Sequence, residues 1–122
     1  MQPAVSNWSK LPVDRPMELL ARRRVIGEQA MISHVTLEKG CVVPTHAHAN
    51  EQFVCVLEGR MRFRLGAEGS PDRREVIVTA GEVLLLPSNA PHEATALERT
   101  VVLDVFSPPS QTTGIDRPKG AH

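Results

Sequence analysis

Two histidines and a glutamine in residues 45–52 have a spacing that suits metal binding. His46 and His48 are separated by one residue, and Gln52 follows His48 by four positions. Side chains of a β-strand point alternately to its two faces, so all three share one face if the segment is extended. Imidazole nitrogens and an amide oxygen are groups that transition metals accept as ligands. The spacing therefore predicts one side of a metal site.

A further imidazole has to come from elsewhere in the chain, and His92 is placed to supply it. His92 follows the turn-forming residues 87–91 and opens another strand-like segment, which can lie beside the first segment in a sheet. Two alternatives stay open. Glu51 competes with Gln52 as a ligand but points to the opposite face unless a bulge intervenes. The polar side chains can also satisfy one another inside a barrel that holds no metal.

Asp104 is a carboxylate within the apolar run 101–106. Burial of an unpaired carboxylate is costly, and desolvation raises the pKa of such a group. If Asp104 faces the interior, it is a candidate general acid or base beside the metal. If it lies at the end of its strand, it bonds backbone groups of a turn instead. The residues alone leave both interpretations open.

Short apolar runs, separated by glycine and proline at intervals of about ten residues, predict an all-β fold. We expect strands at residues 30–37, 41–45, 52–57, 61–65, 74–79, 83–86, 93–97 and 100–106, enough for a jelly-roll barrel. Residues 1–29 are expected to form an N-terminal extension that packs on the barrel, with a helical turn at 17–21. Residues 30–107 form the barrel, and residues 108–122 form a flexible tail. The run 53–57 is apolar on both faces, so one face is expected to pack on a second sheet or on a partner subunit, and we expect a homodimer.

Composition excludes several classes of function. The 122 residues carry 14 basic and 14 acidic side chains, for a formal net charge of zero, so no field of one sign attracts nucleic acid or anionic lipid. No secretory signal is visible, and no apolar run approaches the roughly 20 residues of a membrane span. We therefore expect a cytoplasmic protein with a small-molecule substrate. In that compartment Cys41 and Cys55 are expected to be free thiols.

Three local patterns give further expectations. The arginines at 22–24 are expected to lie on an exposed sheet edge. Arginines at 60, 62 and 64 alternate with apolar residues and are expected to face solvent. The turn at Glu58-Gly59 predicts a β-hairpin. His34 lacks a partner at ligand spacing, and His122 is terminal, so neither is expected to bind metal.

The glycines, prolines and candidate ligands together resemble the two signature motifs of the cupins. The motifs here are Gly40-x5-His46-x-His48-x3-Gln52-x6-Gly59 and Gly81-x5-Pro87-x4-His92. This resemblance implies a double-stranded β-helix that binds one divalent metal through His46, His48, Gln52 and His92. Gln52 stands where the family commonly has Glu, so the metal keeps more positive charge and should be a stronger Lewis acid. Asn89 stands where the family often has Gly, and Asn tolerates the left-handed backbone conformation.

The segment Asp104-x-Phe106-Ser-Pro-Pro is similar to the tail of small cupins that linearise unsaturated uronates. This similarity implies a role for Asp104 in proton transfer. In those proteins an Arg after the Pro-Pro pair holds the substrate carboxylate, and here that position is Ser110, which cannot form a bidentate clamp. We hypothesise a metal-dependent isomerase or lyase for a small acidic or carbonyl-bearing, sugar-acid-like substrate. The alternatives are an iron-dependent dioxygenase and a non-catalytic ligand-binding module, and the metal can be Zn, Ni, Fe, Mn or Cu.

Overall fold

Residues 2–110, described by a computed structural model, form ten strands in two antiparallel sheets. The strands are β1 (Asp14–Met17), β2 (Leu20–Ile26), β3 (Met31–Leu37), β4 (Val42–His46), β5 (Glu51–Glu58), β6 (Arg60–Leu65), β7 (Arg74–Thr79), β8 (Val83–Leu86), β9 (His92–Ala96) and β10 (Thr100–Ser107). A 3-10 turn at Trp8–Lys10 precedes them. The larger sheet has the order β1-β2-β3-β10-β5-β8, and the smaller sheet has the order β4-β9-β6-β7. This is the all-β jelly-roll architecture that the sequence predicts.

Alternating burial along the strands places an aliphatic core between the two sheets. In β3, Met31, Ser33, Val35 and Leu37 are buried, and the residues between them are partly exposed. This period of two is the pattern of a sheet with one face toward a core. The interior cluster comprises Leu20, Val35, Leu37, Cys41, Val43, Val54, Val56, Met61, Phe63, Val78, Leu86, Ala94, Ala96 and Val102.

All eight expected strands are present, with ends that agree to within one residue. Met61 and Phe63 of β6 are buried, while the arginines at 60, 62 and 64 lie on the other face, as the alternation predicts. Asn89 has the left-handed φ of 63° that its family position suggested. Cys41 is buried, Cys55 is half-buried, and both are free thiols, as expected.

The expected helical turn at 17–21 is wrong, because these residues join two strands. Met17 pairs with Leu20 across β1 and β2, so Glu18 and Leu19 form a two-residue turn. Leu19 adopts a left-handed φ of 66°. Leu20 and Arg22 are buried, and Ala21 between them is partly exposed, a period of two that a helix does not have.

Arg22 is also placed differently from the prediction, because it is buried rather than on an exposed edge. Its side chain is 2% exposed and lies on the same inward face of β2 as Leu20, two residues earlier. Asp14 lies opposite Arg22 in the strand pair. The Arg22 guanidinium donates to both oxygens of the Asp14 carboxylate, over 3.1 Å from Nε and 2.6 Å from Nη2. A paired arginine of this kind can be buried where an isolated charge cannot.

Glu58 and Gly59 do not form a β-hairpin, since the strands they connect belong to different sheets. The two edges of β5 pair with β10 and β8, so no edge is left for β6. Gly59 has a φ of 90°, a conformation that glycine adopts without strain, and the chain passes there from the larger sheet to the smaller one.

His34 lies on the outer face of β3, where its ring is 5.4 Å from that of Trp8. Within residues 2–110, no helix is long and apolar enough to cross a bilayer. The division of the chain at residues 29 and 108 stays a prediction. The expected tail falls mainly on residues 111–122, which lie outside the described part of the chain, as does His122.

Candidate metal centre

Three imidazoles meet where β4 ends and β9 begins. His46 is the last residue of β4 and pairs with His92, the first residue of β9. His48 lies two residues beyond β4, in the connection to β5. The candidate ligand nitrogens of the three rings all lie within 4.8 Å of one another. Metal–nitrogen bonds of about 2.1 Å can span such a cluster after small ring movements, so the cluster supports a divalent metal.

Gln52 joins this cluster by a route that the sequence did not predict. The prediction took residues 46–52 as one extended segment, but β4 ends at His46 and the chain then crosses to the larger sheet. Gln52 is the second residue of β5 and faces inward, 7% exposed. Glu51 is exposed on the opposite face, as expected. The candidate ligands therefore converge from both sheets.

Backbone carbonyl groups fix the orientation of the three rings. In each ring Nδ1 lies at hydrogen-bonding distance from the carbonyl oxygen of a residue two positions away. The pairs are His46 with Pro44 at 2.8 Å, His48 with Asn50 at 3.1 Å and His92 with Ala90 at 2.9 Å. Because a carbonyl only accepts, Nδ1 carries the hydrogen and Nε2 carries the lone pair. Hydrogen bonds of this kind orient histidines that bind metals.

The contact between His48 and Gln52 tests whether these residues fit a cation. The Gln52 amide nitrogen donates to Asp104 Oδ1 at 3.2 Å, which turns the amide oxygen toward His48 Nε2 at 3.1 Å. In the neutral ring, with hydrogen on Nδ1, this places two acceptor lone pairs face to face. A cation bound by both atoms turns that repulsion into attraction. The donor set fits a divalent metal, and the assignment of the four residues as its ligands stays a prediction.

Asp104 faces the interior rather than a turn. It is 5% exposed and sits in the middle of β10, paired with Val54 and Ser33. Burial raises the pKa of Asp104 to about 7, against the opposing effect of the hydrogen bond from Gln52. A carboxyl group with a pKa near neutrality is suited to give and take protons.

His92 is held neutral by its surroundings. Burial lowers its pKa to about 4, the hydrogen bond to Ala90 raises it, and the nearby rings of His46 and His48 lower it. A neutral imidazole is the form that binds a metal, so His92 needs no deprotonation at neutral pH.

The side chains around this cluster enclose a cavity of about 40 Å³. Its lining consists of His46, Gln52, His92, Asp104, Leu37, Val43, Val54, Met61, Phe63, Ala94, Val102 and Phe106. The polar members are three of the four candidate ligands and Asp104, and the remaining members are apolar. Such a cavity can admit a small molecule to the metal.

Two residues that support the site were not identified from the sequence. Asn50 is buried, and its carbonyl accepts from His48 while its amide donates to the carbonyl of Pro108, which ties the ligand loop to the end of β10. The Phe106 ring packs edge-on against His48, with centroids 5.8 Å apart. Phe106 belongs to the tail motif that begins at Asp104, but the spacing of that motif does not indicate a contact with His48.

The sequence matches the cupin domain family over residues 33–106, a range that contains the candidate ligands and Asp104. Similar solved structures include an RmlC-like cupin from Shewanella frigidimarina, with a TM-score of 0.79 and 22% identity over 90% of this chain and 95% of that one. KdgF from a Halomonas species has a TM-score of 0.77 and 23% identity over 90% of this chain and 97% of that one.

Oxalate decarboxylase from Lactobacillus farciminis has a TM-score of 0.74 and 20% identity over 91% of this chain but only 36% of its own. Oxalate decarboxylase from Bacillus subtilis, which is similar at 22% identity, has Mn(II) centres. At these identities the likeness shows the fold and leaves the activity to be argued from the site. None of the curated proteins compared matches the chain.

Proposed function

The chain belongs to the cupin family, and we propose that it is a metal-dependent enzyme of the isomerase or lyase type, acting on a small carbonyl- or carboxylate-bearing molecule. The observation that carries this proposal is the hydrogen bond from Gln52 to Asp104, which joins a candidate ligand to a buried acid. A purely structural metal site needs no such acid at an open cavity. A catalytic site does, because a proton has to be moved near the substrate.

The chemical roles follow from the residue types. A metal bound here would polarise a carbonyl or carboxylate of the substrate. Gln52 has no basic form, so it holds its oxygen in place without taking a proton. Asp104 lies next to it with a pKa of about 7 and is the group that we propose moves the proton. The neutral amide of Gln52 also leaves more positive charge on the metal than a carboxylate would.

The identity of the metal and the substrate are finer parts of the proposal. Three imidazoles and an amide oxygen suit Zn, Ni, Fe, Mn or Cu, and the Mn(II) centres of the Bacillus subtilis relative make Mn(II) a reasonable first metal. Oxalate decarboxylase acts by name on a small dicarboxylate, which agrees by analogy with a lyase. The tail motif favours a sugar-acid-like substrate, but Ser110 stands in place of the carboxylate-binding Arg.

An iron-dependent dioxygenase is the second candidate, because three imidazoles also bind iron and leave positions for oxygen. The two candidates differ in their need for oxygen. We expect metal-loaded protein to convert its substrate under anaerobic conditions, with small oxo acids, hydroxy acids and unsaturated monouronates as the panel and NMR as the readout. Turnover that requires oxygen would favour the dioxygenase. Tight binding of these acids with no conversion in either atmosphere would favour a binding module.

We also propose that the chain forms a homodimer through the outer face of the larger sheet. Phe53 pairs with Leu85 on β8 and with Val105 on β10, and all three point away from the core. Contiguous exposed apolar surface of this kind marks interaction sites. The apolar residues lie on three neighbouring strands, β8, β5 and β10. Three strands about 4.8 Å apart and about seven residues long cover roughly 300 Å², which suits the centre of an interface of roughly 800 Å² per partner. A second copy presents an equally apolar face.

A further inference from the structure

Strand register divides the lining of the cavity into layers. One layer contains His46, His92, Gln52 and Phe106. We assign it to the mouth, because His46 and the adjacent His48 are partly exposed, whereas Met61, Leu37 and Val102 are buried. The next layer contains Val43, Ala94, Phe63, Val54 and Asp104. Met61, Leu37 and Val102 lie deeper. The candidate ligands are therefore at the mouth, and a molecule that reaches them directs its remainder into an apolar space.

The layers below the mouth have little to offer a hydroxyl group. Within residues 2–110, Asp104 is the polar side chain in those layers, and no Arg, Lys, Ser, Thr or Asn lines the cavity. A hydroxyl group buried without a hydrogen-bond partner costs free energy, whereas an alkyl group in the same place gains from contact. Asp104 can form a hydrogen bond with one hydroxyl group of the tail. A polyhydroxylated tail therefore buries its other hydroxyl groups without partners.

The size of the cavity limits the tail. A water-sized group needs about 10–15 Å³ of such space, so 40 Å³ admits about three or four non-hydrogen atoms. In the described chain the lining includes no cationic side chain, so an acidic group has to bind at the metal or remain outside. A substrate that fits therefore has a tail of about three or four non-hydrogen atoms and keeps its acidic end at the mouth.

We infer that the cup accepts a short 2-oxo or 2-hydroxy carboxylic acid with an alkyl tail, and that it discriminates against polyhydroxylated acids. This inference rests on the proposed metal-dependent function. It narrows the substrate class away from the sugar-acid-like molecules that the tail motif favours. The carboxylate and the neighbouring oxygen form the metal-binding end of the molecule. The alkyl tail lies against Val54, Phe63 and Ala94, in the layer that also contains Asp104.

The test compares two ligands with equal numbers of non-hydrogen atoms. In 2-hydroxy-3-methylpentanoate, methyl groups replace the two tail hydroxyl groups of erythronate. Protein loaded with Co(II) is titrated with each acid, and the visible spectrum of Co(II) reports binding at the metal. We expect the alkyl acid to bind about tenfold more tightly, since one unmatched buried hydroxyl group is worth roughly five- to hundredfold in affinity.

A pair of variants assigns the preference to the cavity. Val54→Thr adds a hydroxyl group to the second layer at constant size, so the preference for the alkyl acid should fall severalfold. Val35→Thr is the matched control, because Val35 is equally buried on β3 but does not line the cavity. The preference of this variant should equal that of the wild type.

The outcomes separate this inference from the proposed function. If Co(II) binds and erythronate binds as tightly as the alkyl acid, or more tightly, the inference is wrong and the metal centre stands. The same conclusion follows if Val35→Thr changes the preference as much as Val54→Thr. If Co(II) does not bind to the histidine cluster, the proposed function is wrong and the inference falls with it.

Discussion

Replacement of Asp104 by Asn should remove a pH dependence from the stability of the metal-free protein. Asp104 is 5% exposed, and burial raises its pKa from 3.8 to about 7. A carboxyl group whose pKa is higher in the folded state contributes fully to stability below its unfolded pKa, and this contribution is lost as the pH rises through the folded pKa. With these two pKa values, the free energy of unfolding is lower than at acidic pH by about 2 kcal/mol at pH 5 and by about 4 kcal/mol at pH 8.

Urea unfolding of wild type and Asp104→Asn in EDTA, at pH 5 and pH 8, measures this difference. The wild type should lose about 2–3 kcal/mol more than the variant between the two values. Asp14→Asn is the control, because the hydrogen bond from Arg22 lowers the pKa of Asp14. The stabilisation by Asp14 is lost only as the pH falls through that lowered pKa, so its removal leaves the slope between pH 5 and 8 unchanged. Equal slopes for wild type and Asp104→Asn would refute the burial of an unneutralised carboxylate.

Three further predictions concern the ligand, the fold and the assembly. Gln52→Glu places a carboxylate at the candidate ligand position, so it should tighten metal binding roughly tenfold. Competition with a chelator measures the affinity, and an unchanged value would argue against Gln52 as a ligand. Asp14→Asn should lower the unfolding free energy by about 1–2 kcal/mol in urea, because it weakens a charged hydrogen-bonded pair with buried Arg22; no loss would show that the pair is dispensable. Phe53→Asp should convert a dimer to a monomer in light scattering, whereas Ile77→Asp, which alters an exposed residue of the smaller sheet, should not; equal effects would contradict the proposed face.

Much of the fold was predictable because inward and outward residues alternate on most strands. The two N-terminal strands were missed for a physical reason. Arg22 looks like a surface residue in sequence, and only its pairing with Asp14 across a turn allows it to be buried. The Glu58-Gly59 turn was misassigned since a short connection does not reveal which sheet receives the next strand.

The candidate site was predicted in its membership but not in its construction. The spacing of His46, His48 and Gln52 indicated a shared site, yet the residues reach it from two sheets. The carbonyl groups that orient the rings, and the Asn50 bond to the end of β10, depend on turn geometry that carries no sequence signature. Asp104 could be assigned to the interior only once its strand neighbours were known.

Metal content of the purified protein tests the central claim most directly. Wild type, His48→Ala and His34→Ala are each prepared under metal-replete conditions, dialysed and measured by elemental analysis, with circular dichroism to confirm folding. We predict about one divalent ion per chain in wild type and in His34→Ala, which alters a histidine on the outer face, and far less in His48→Ala. Equal metal content in folded wild type and His48→Ala would contradict the assignment of the metal to this cluster.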